Sequence, residues 1–252
     1  MKRNIYLTAL YTVTVLVILF SILGQNGILP IGQVGSAKLT DTIYFDPNGF
    51  HSIDMDLSVV ELTVQQNFND NCYITYEASS QKLVPTVEVK DNTLKIGQTK
   101  INQNNLKSNQ LKLTLSVPAG KGFNDLDFDL GVGDLKFENL SADKLTLQAG
   151  VGELDITDSS FQQANIEAGV GDVTMQNCPV TRLTLQTGVG DVKLSQLGDL
   201  AKYDLDITVG LGDLSVDGVK KSGFGKEYRQ TGDGTYNYKI ESGTGDVKIS
   251  VK

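Results

Sequence analysis

The sequence predicts an all-β protein: a single-stranded β-helix (solenoid) of about 19-residue coils with a strand-rich N-terminal cap region, preceded by one transmembrane helix. Three observations predict it. A Gly-x-Gly-acid motif occurs six times, at 131–134, 150–153, 169–172, 188–191, 210–213 and 243–246. Apolar and polar residues alternate on both sides of each copy. A charge-free run of twenty residues, 5–24, follows Lys2 and Arg3.

The apolar run is read first. Twenty residues at helical rise span about 30 Å, the thickness of the hydrocarbon core. Lys2 and Arg3 ahead of it keep that end cytoplasmic, so the rest of the chain is expected outside the cell, held by a single pass through the cell membrane. A cleaved signal peptide competes with this reading. Its apolar region would be unusually long, and the nearest small-x-small pair, Gly35 and Ala37, lies well past the run. No Cys ends the run, so it is not a lipoprotein signal. Residues 25–41, with Gly, Pro and small polar residues, read as a linker. Residues 42–252 are then the displayed domain, with 42–118 a cap and 119–252 the coils.

Within the cap, residues 53–64 (IDMDLSVVELTV) align with 126–137 (LDFDLGVGDLKF), so SVVE at 58–61 reads as a degenerate corner. Terminal coils of a solenoid are expected to be atypical. The stretches NCYITYEA, VEVKDNTLKI and LKLTLSVP read as further strands, and the polar run 98–110 as a surface loop.

The coils carry the strongest signal. The first four motif copies are spaced by 19 residues, the next spacings being 22 and 33. Before each copy every second residue is apolar or small, as in Leu145, Leu147 and Ala149. After it the alternation resumes, as in Leu154 and Ile156. A period of two means strands with one face buried. Each unit is therefore strand, GxG turn, strand, second turn. One unit cannot bury its apolar face alone, but stacked units about 4.8 Å apart can. The residue between the glycines is Val four times, then Leu, then Thr, which predicts a corner whose tip points inward. Thr146, Gln148, Asn165, Glu167, Thr184 and Gln186 form an outward polar face suited to an extended ligand.

With Val117-Pro118 ahead of the tandem GxGD coils, residues 42–252 resemble the bacterial "putative adhesin" family of unknown function. The resemblance implies a β-helical surface domain with a binding or scaffolding role, and it supplies no catalytic residues. Members with this anchored layout are similar to proteins found beside envelope-stress (Lia-type) signalling systems in Gram-positive bacteria. The 33-residue spacing before Gly243 departs from the family's regular coils.

Charge excludes one class of partner. The chain has 22 basic and 30 acidic residues, a formal charge of −8. A domain this acidic has no electrostatic footprint for nucleic acid.

The acidic ladder Asp134, Glu153, Asp172, Asp191, Asp213 and Asp246 has two readings. Each carboxylate caps backbone N–H groups in its own turn, or the row binds a cation weakly. Like charges about 4.8 Å apart repel by roughly 0.9 kcal/mol in a water-like dielectric, which hydrogen bonds offset. Each coil also offers one carboxylate, whereas Ca²⁺ takes six to eight oxygens. Capping is the favoured reading, and neither metal nor cofactor is assigned. A phosphate loop is excluded, because it needs a helix where a strand follows each motif.

Catalytic residues are not assigned either. His51 is the only histidine and sits in a turn-like stretch. Arg182 and Arg229 could serve a polysaccharide lyase, but their spacing does not support one. Cys178 reads as a small core residue and Cys72 as part of an upstream strand, and sequence does not place them within disulfide reach. The insertion 218–237 supplies the partner-contact candidates: Lys220, Lys221, Phe224, Lys226, Tyr228 and Arg229. It is either a flap over the last coil or a contact for anionic lipid, wall polymer or a protein. The expected function is noncatalytic: adhesin-like binding or an envelope-stress accessory role, with a cell-envelope component or a membrane or surface protein as partner. The alternatives are an enzyme acting on envelope glycans and a purely structural spacer.

Overall fold

A computed structural model describes residues 38–98 and 110–252. The expected membrane anchor at 5–24, most of the linker and the expected loop beyond Gln98 lie outside the described residues. Among the described residues no helix is long and apolar enough to cross a membrane.

The cap contributes seven strands: β1 (Leu39–Phe45), β2 (Ser52–Val59), β3 (Glu61–Asn67), β4 (Cys72–Ala78), β5 (Thr86–Lys90), β6 (Thr93–Gly97) and β7 (Leu111–Pro118). β1 begins within the stretch expected as linker. Four coils follow, each a long strand and a short one: β8 (Gly122–Val132) and β9 (Leu135–Glu138), β10 (Ser141–Val151) and β11 (Leu154–Thr157), β12 (Ser160–Val170) and β13 (Val173–Gln176), β14 (Val180–Val189) and β15 (Val192–Gln196). The remaining strands are β16 (Tyr203–Leu211), β17 (Leu214–Val216), β18 (Val219–Lys221), β19 (Phe224–Gln230), β20 (Tyr236–Thr244) and β21 (Val247–Val251).

Long strands stack into one sheet and short strands into another, in parallel register. The GxG motif is the corner between them. Period-two alternation fixes which side of each strand is inside: Leu145, Leu147 and Ala149 are buried while Gln148 is exposed. Register then builds apolar columns, such as Phe128, Leu147, Ile166 and Leu185. These face the column Phe137, Ile156, Met175 and Leu194 across the interior. Phe128 and Phe137 meet edge to face at 4.9 Å. Each such side chain contributes about 1.5–3 kcal/mol by leaving water, so the core is built one coil at a time.

The corners require glycine for two separate reasons. A Cβ on Gly150 would collide with the carbonyl oxygen of Gly131 in the coil beneath. Gly152 adds a left-handed φ of 149°, and a Cβ there would strike the Gly133 carbonyl. At the opposite corner Asn139, Asp158 and Asn177 take φ of 57°, 50° and 53°, the left-handed region that Asn and Asp tolerate best after Gly. The Asn177 amide donates to Asp158 Oδ1 at 2.6 Å, tying two coils together.

The degenerate coil is where sequence places it. β2 pairs with β8 and β3 with β9, both in parallel, so Val59 lies beside Val132. At the other end the chain departs from a simple tandem order. β18 and β19 do not cover the coil of Gly243. They run antiparallel along β17 and β16 at the end of the stack. The chain then returns, and β20 and β21 slot between the coil of Gly188 and the coil of Gly210. The long spacing before Gly243 is the length of this hairpin and return.

Candidate functional site

The corner edge is the most regular exposed feature of the domain. Three lines of residues run along it, one residue per coil in each.

The first line is acidic. Asp134 Oδ1 accepts from the Glu153 N–H at 2.9 Å, Asp172 Oδ1 from the Asp191 N–H at 2.9 Å, Asp191 Oδ1 from the Asp246 N–H at 2.9 Å, and Asp246 Oδ1 from the Asp213 N–H at 2.8 Å. These four aspartates therefore cap the neighbouring coil and not their own turns, which corrects the expectation from sequence. The physical reason is that an extended corner leaves the next coil's N–H within one strand spacing of the carboxylate. Glu153, one methylene longer, is skipped as an acceptor. Among the described residues no group of three or more His, Cys, Asp or Glu side chains could hold a metal ion.

The second line is apolar, and it corrects a further expectation. The tips between the glycines point outward: Val132, Val151, Val170, Val189 and Leu211 are 45–49% exposed. Register aligns them with Val59 below and Thr244 between Val189 and Leu211. Phe224 on β19 pairs with Leu211 and is 84% exposed, so it extends the ridge by one step.

The third line is a shallow trough of about 740 Å³ beside the ridge. Gly150, Gly169 and Gly188 form its floor, and Gln148, Glu167 and Gln186 rise along it. At one end Gln186 Nε2 donates to Glu241 Oε2 at 3.1 Å, and Lys239 Nζ lies 2.7 Å from Glu241 Oε1. That lysine hydrogen bond holds the Glu241 carboxyl below its ordinary range. Among the described residues lining the trough none is basic, and the cation beside its end carboxylate, Lys239, is paired with Glu241.

The residues of the insertion separate. Lys220 is exposed and lies beside Ser215 on the outer face of the short-strand sheet. Lys221 Nζ donates to the Glu227 carbonyl at 2.6 Å and sits 5.5 Å from the Tyr228 ring centre. Arg229 pairs with Asp206 at 3.2 Å. The Tyr228 hydroxyl bonds Gln230 Oε1 at 2.9 Å. Lys226 is buried opposite Val209, with its Nζ unpartnered among the described residues, and so cannot make the partner contact expected of it. Lys220 and Lys221 on one sheet and Phe224 and Arg229 on the other remain exposed.

The cysteines offer no nucleophile. Both are free and buried, and burial pushes each thiol up to about 11. Cys178 Sγ donates to the Ile156 and Gln176 carbonyls at 3.2 and 3.1 Å. His51 is exposed, and Arg182 lies beside Asn237, on a different strand from Arg229.

Sequence reasoning missed two structural devices. The left-handed second corner had a signal, Asn or Asp recurring at 139, 158 and 177. The other had none. Gln98 Oε1 accepts from the Ser58 and Val59 N–H groups at 3.0 and 3.2 Å, and its Nε2 donates to the Leu83 carbonyl at 3.3 Å. One buried glutamine thus caps the degenerate corner at 58–61 from the β6 side.

Comparison with known proteins agrees with this architecture. A family model described as Toastrack DUF4097 matches residues 50–252. A solved "putative cell adhesion protein" from Clostridium sporogenes is 20% identical, with a TM-score of 0.53 over 86% of this chain and 100% of that one. It shares the fold. A "putative adhesin" from Bacteroides fragilis is 16% identical, with a TM-score of 0.36 over 86% of this chain and 99% of that one. No curated protein matches the chain.

Proposed function

The chain belongs to the Toastrack DUF4097 family, and from that premise we propose that it is a noncatalytic, adhesin-like binding protein displayed outside the cytoplasm. Residues 5–24 anchor it in the cell membrane with the N-terminus cytoplasmic. The coils then face the envelope, where the domain meets an elongated partner: an envelope component or another surface protein. In this reading it serves as an adhesin or an envelope-stress accessory.

The observation that carries the proposal is the ridge. Five branched apolar tips, each nearly half exposed, stand in one line beside an open trough. Exposed apolar rows are uncommon on a domain with no partner, and they mark surfaces that something covers. The same set of groups recurs in each coil, so an elongated partner meets the same chemistry repeatedly along its length.

The test is crosslinking and pull-down from intact cells with the parent chain and with Val151→Asp/Val170→Asp. Both tips are exposed, so the double variant is expected to fold normally and to lose the crosslinked partner. Equal recovery of the partner by a folded variant would remove the ridge from the interaction.

A further inference from the structure

The edge strand by which the chain enters, β1, carries aromatic side chains at its far end, away from Leu39. Phe68 is fully exposed, at 104% of its reference area. Its turn is held firmly, since Asn67 Nδ2 donates to the Asn71 carbonyl at 2.9 Å and the Asn69 N–H donates to Asn67 Oδ1 at 2.8 Å. Tyr44 on β1 is 68% exposed, and its ring centre lies 5.6 Å from that of Tyr73 on β4. Register places Tyr44 opposite Tyr73 and Phe45 opposite Cys72. The turn bearing Phe68 ends at Cys72, so all three rings belong to one end of the β1–β4 pair.

We propose that this aromatic end, with Phe68 at its tip, docks into the interface of the lipid bilayer that holds the anchor. The proposal rests on the anchoring reading above. Fourteen residues, 25–38, join the apolar run to Leu39. At 3.3–3.6 Å per residue they reach at most about 50 Å, and the seven residues of β1 add roughly 20 Å to the rings, a tether short enough to let the aromatic end meet the bilayer. Aromatic side chains settle at the depth of lipid headgroups, where an apolar ring body and a polar tip both find partners. Asp46 and Asp70 flank the rings and are exposed. Lys121 Nζ is already committed to the Pro47 and Phe50 carbonyls at 2.5 and 2.9 Å. The surface therefore fits a zwitterionic interface through its rings, and does not depend on anionic headgroups.

Phe224 provides an internal contrast. Its strand lies one step beyond the coil of β16 and β17, which is itself eight strand steps from β4, or about 43 Å in all at the usual strand spacing. The chain contains no Trp, so Phe68→Trp and Phe224→Trp each introduce a single reporter at an exposed site. The full chain is reconstituted in phosphatidylcholine vesicles with and without brominated acyl chains. Trp at 68 is expected to emit at shorter wavelength and to be quenched by the brominated lipid, unchanged in high salt. Trp at 224 is expected to emit as in water and to escape quenching. Tyr44→Trp reads the same surface if the Phe68 variant folds poorly. A chain that floats with vesicles while the reporter at 68 behaves like that at 224 overturns the docking and leaves the anchor standing. A chain that does not float at all removes the anchor, and the docking with it.

Discussion

The backbone N–H of Glu153 donates to Asp134 Oδ1 at 2.9 Å, so the acid of one coil caps the coil stacked on it. This accounts for the carboxylates at 134, 172, 191 and 246. A strand leaving a corner begins with an N–H directed along the stack, and a short carboxylate one coil away is its acceptor.

Removing one of these caps should cost stability in proportion to the bond lost. Asp172→Ala and Asp191→Ala are each expected to lose about 1 kcal/mol, the usual worth of a partly exposed charged cap. Glu153→Ala, which removes no such acceptor, should lie near the parent. Urea unfolding measures the difference. Equal losses at all three positions would mean that the carboxylates stabilise the stack through something other than these bonds.

Glycine substitutions should separate by position. Gly152→Ala places a methyl group against the Gly133 carbonyl at a left-handed φ, and is expected to cost several kcal/mol or prevent folding. Gly120→Ala, with φ of 75° and open space around it, should cost only about 1 kcal/mol. Thermal unfolding of the two variants gives the comparison.

Among the described residues the buried Lys226 Nζ, at the end of the stack, has no hydrogen-bond partner. Burying a charge without a partner is unfavourable, while inward charges on edge strands discourage further strand pairing. Lys226→Met is therefore expected to raise the unfolding free energy by about 1 kcal/mol or more. A clear loss would show that the ammonium has a compensating partner.

The two buried thiols set an alkaline limit. Each is held at about 11 in the folded chain against an ordinary value of 9.0. Between pH 9 and 11 the unfolded chain releases these protons while the folded chain keeps them, so stability falls as pH rises across that window. The loss is at most about 2–3 kcal/mol per thiol by pH 11. Cys72→Ala/Cys178→Ala should show a lower stability at neutral pH and a shallower alkaline decline. A decline of unchanged slope would assign it to other groups, such as Tyr203, whose hydroxyl burial pushes up to about 12.

Much of this architecture is readable from alternation and spacing. The period of two decides which side of each strand is buried, and a 19-residue repeat of Gly, Gly and acid decides where the chain turns. What could not be read has a common cause: once coils are interchangeable, sequence does not say which neighbours which. The coil of Gly243 fits between those of Gly188 and Gly210 because all three present the same apolar face, and only the long spacing hints at the return. The carboxylates are equally ambiguous, since their own turn and the next coil offer similar N–H groups. Valine between two glycines suggests burial by composition. Those glycines, however, break the alternation that would decide its side, and the corner turns it to solvent. Lys226 reads in sequence as one of the surface cations of the insertion, because nothing in a short edge strand reveals which face will cover the core.

The most direct test of the corner column is cysteine pairing along it. Val189 lies in register with Thr244, and Thr244 with Leu211. Val189→Cys/Thr244→Cys places two thiols one strand spacing apart, about 4.8 Å. Val189→Cys/Leu211→Cys places them two apart, beyond the roughly 7 Å that a disulfide can bridge. Mild oxidation, followed by mass spectrometry, is expected to link 189 to 244 rapidly and to leave 189 and 211 unlinked. Ready formation of the 189–211 bridge with none at 189–244 would contradict the stacking order, and with it the ridge on which the binding role depends.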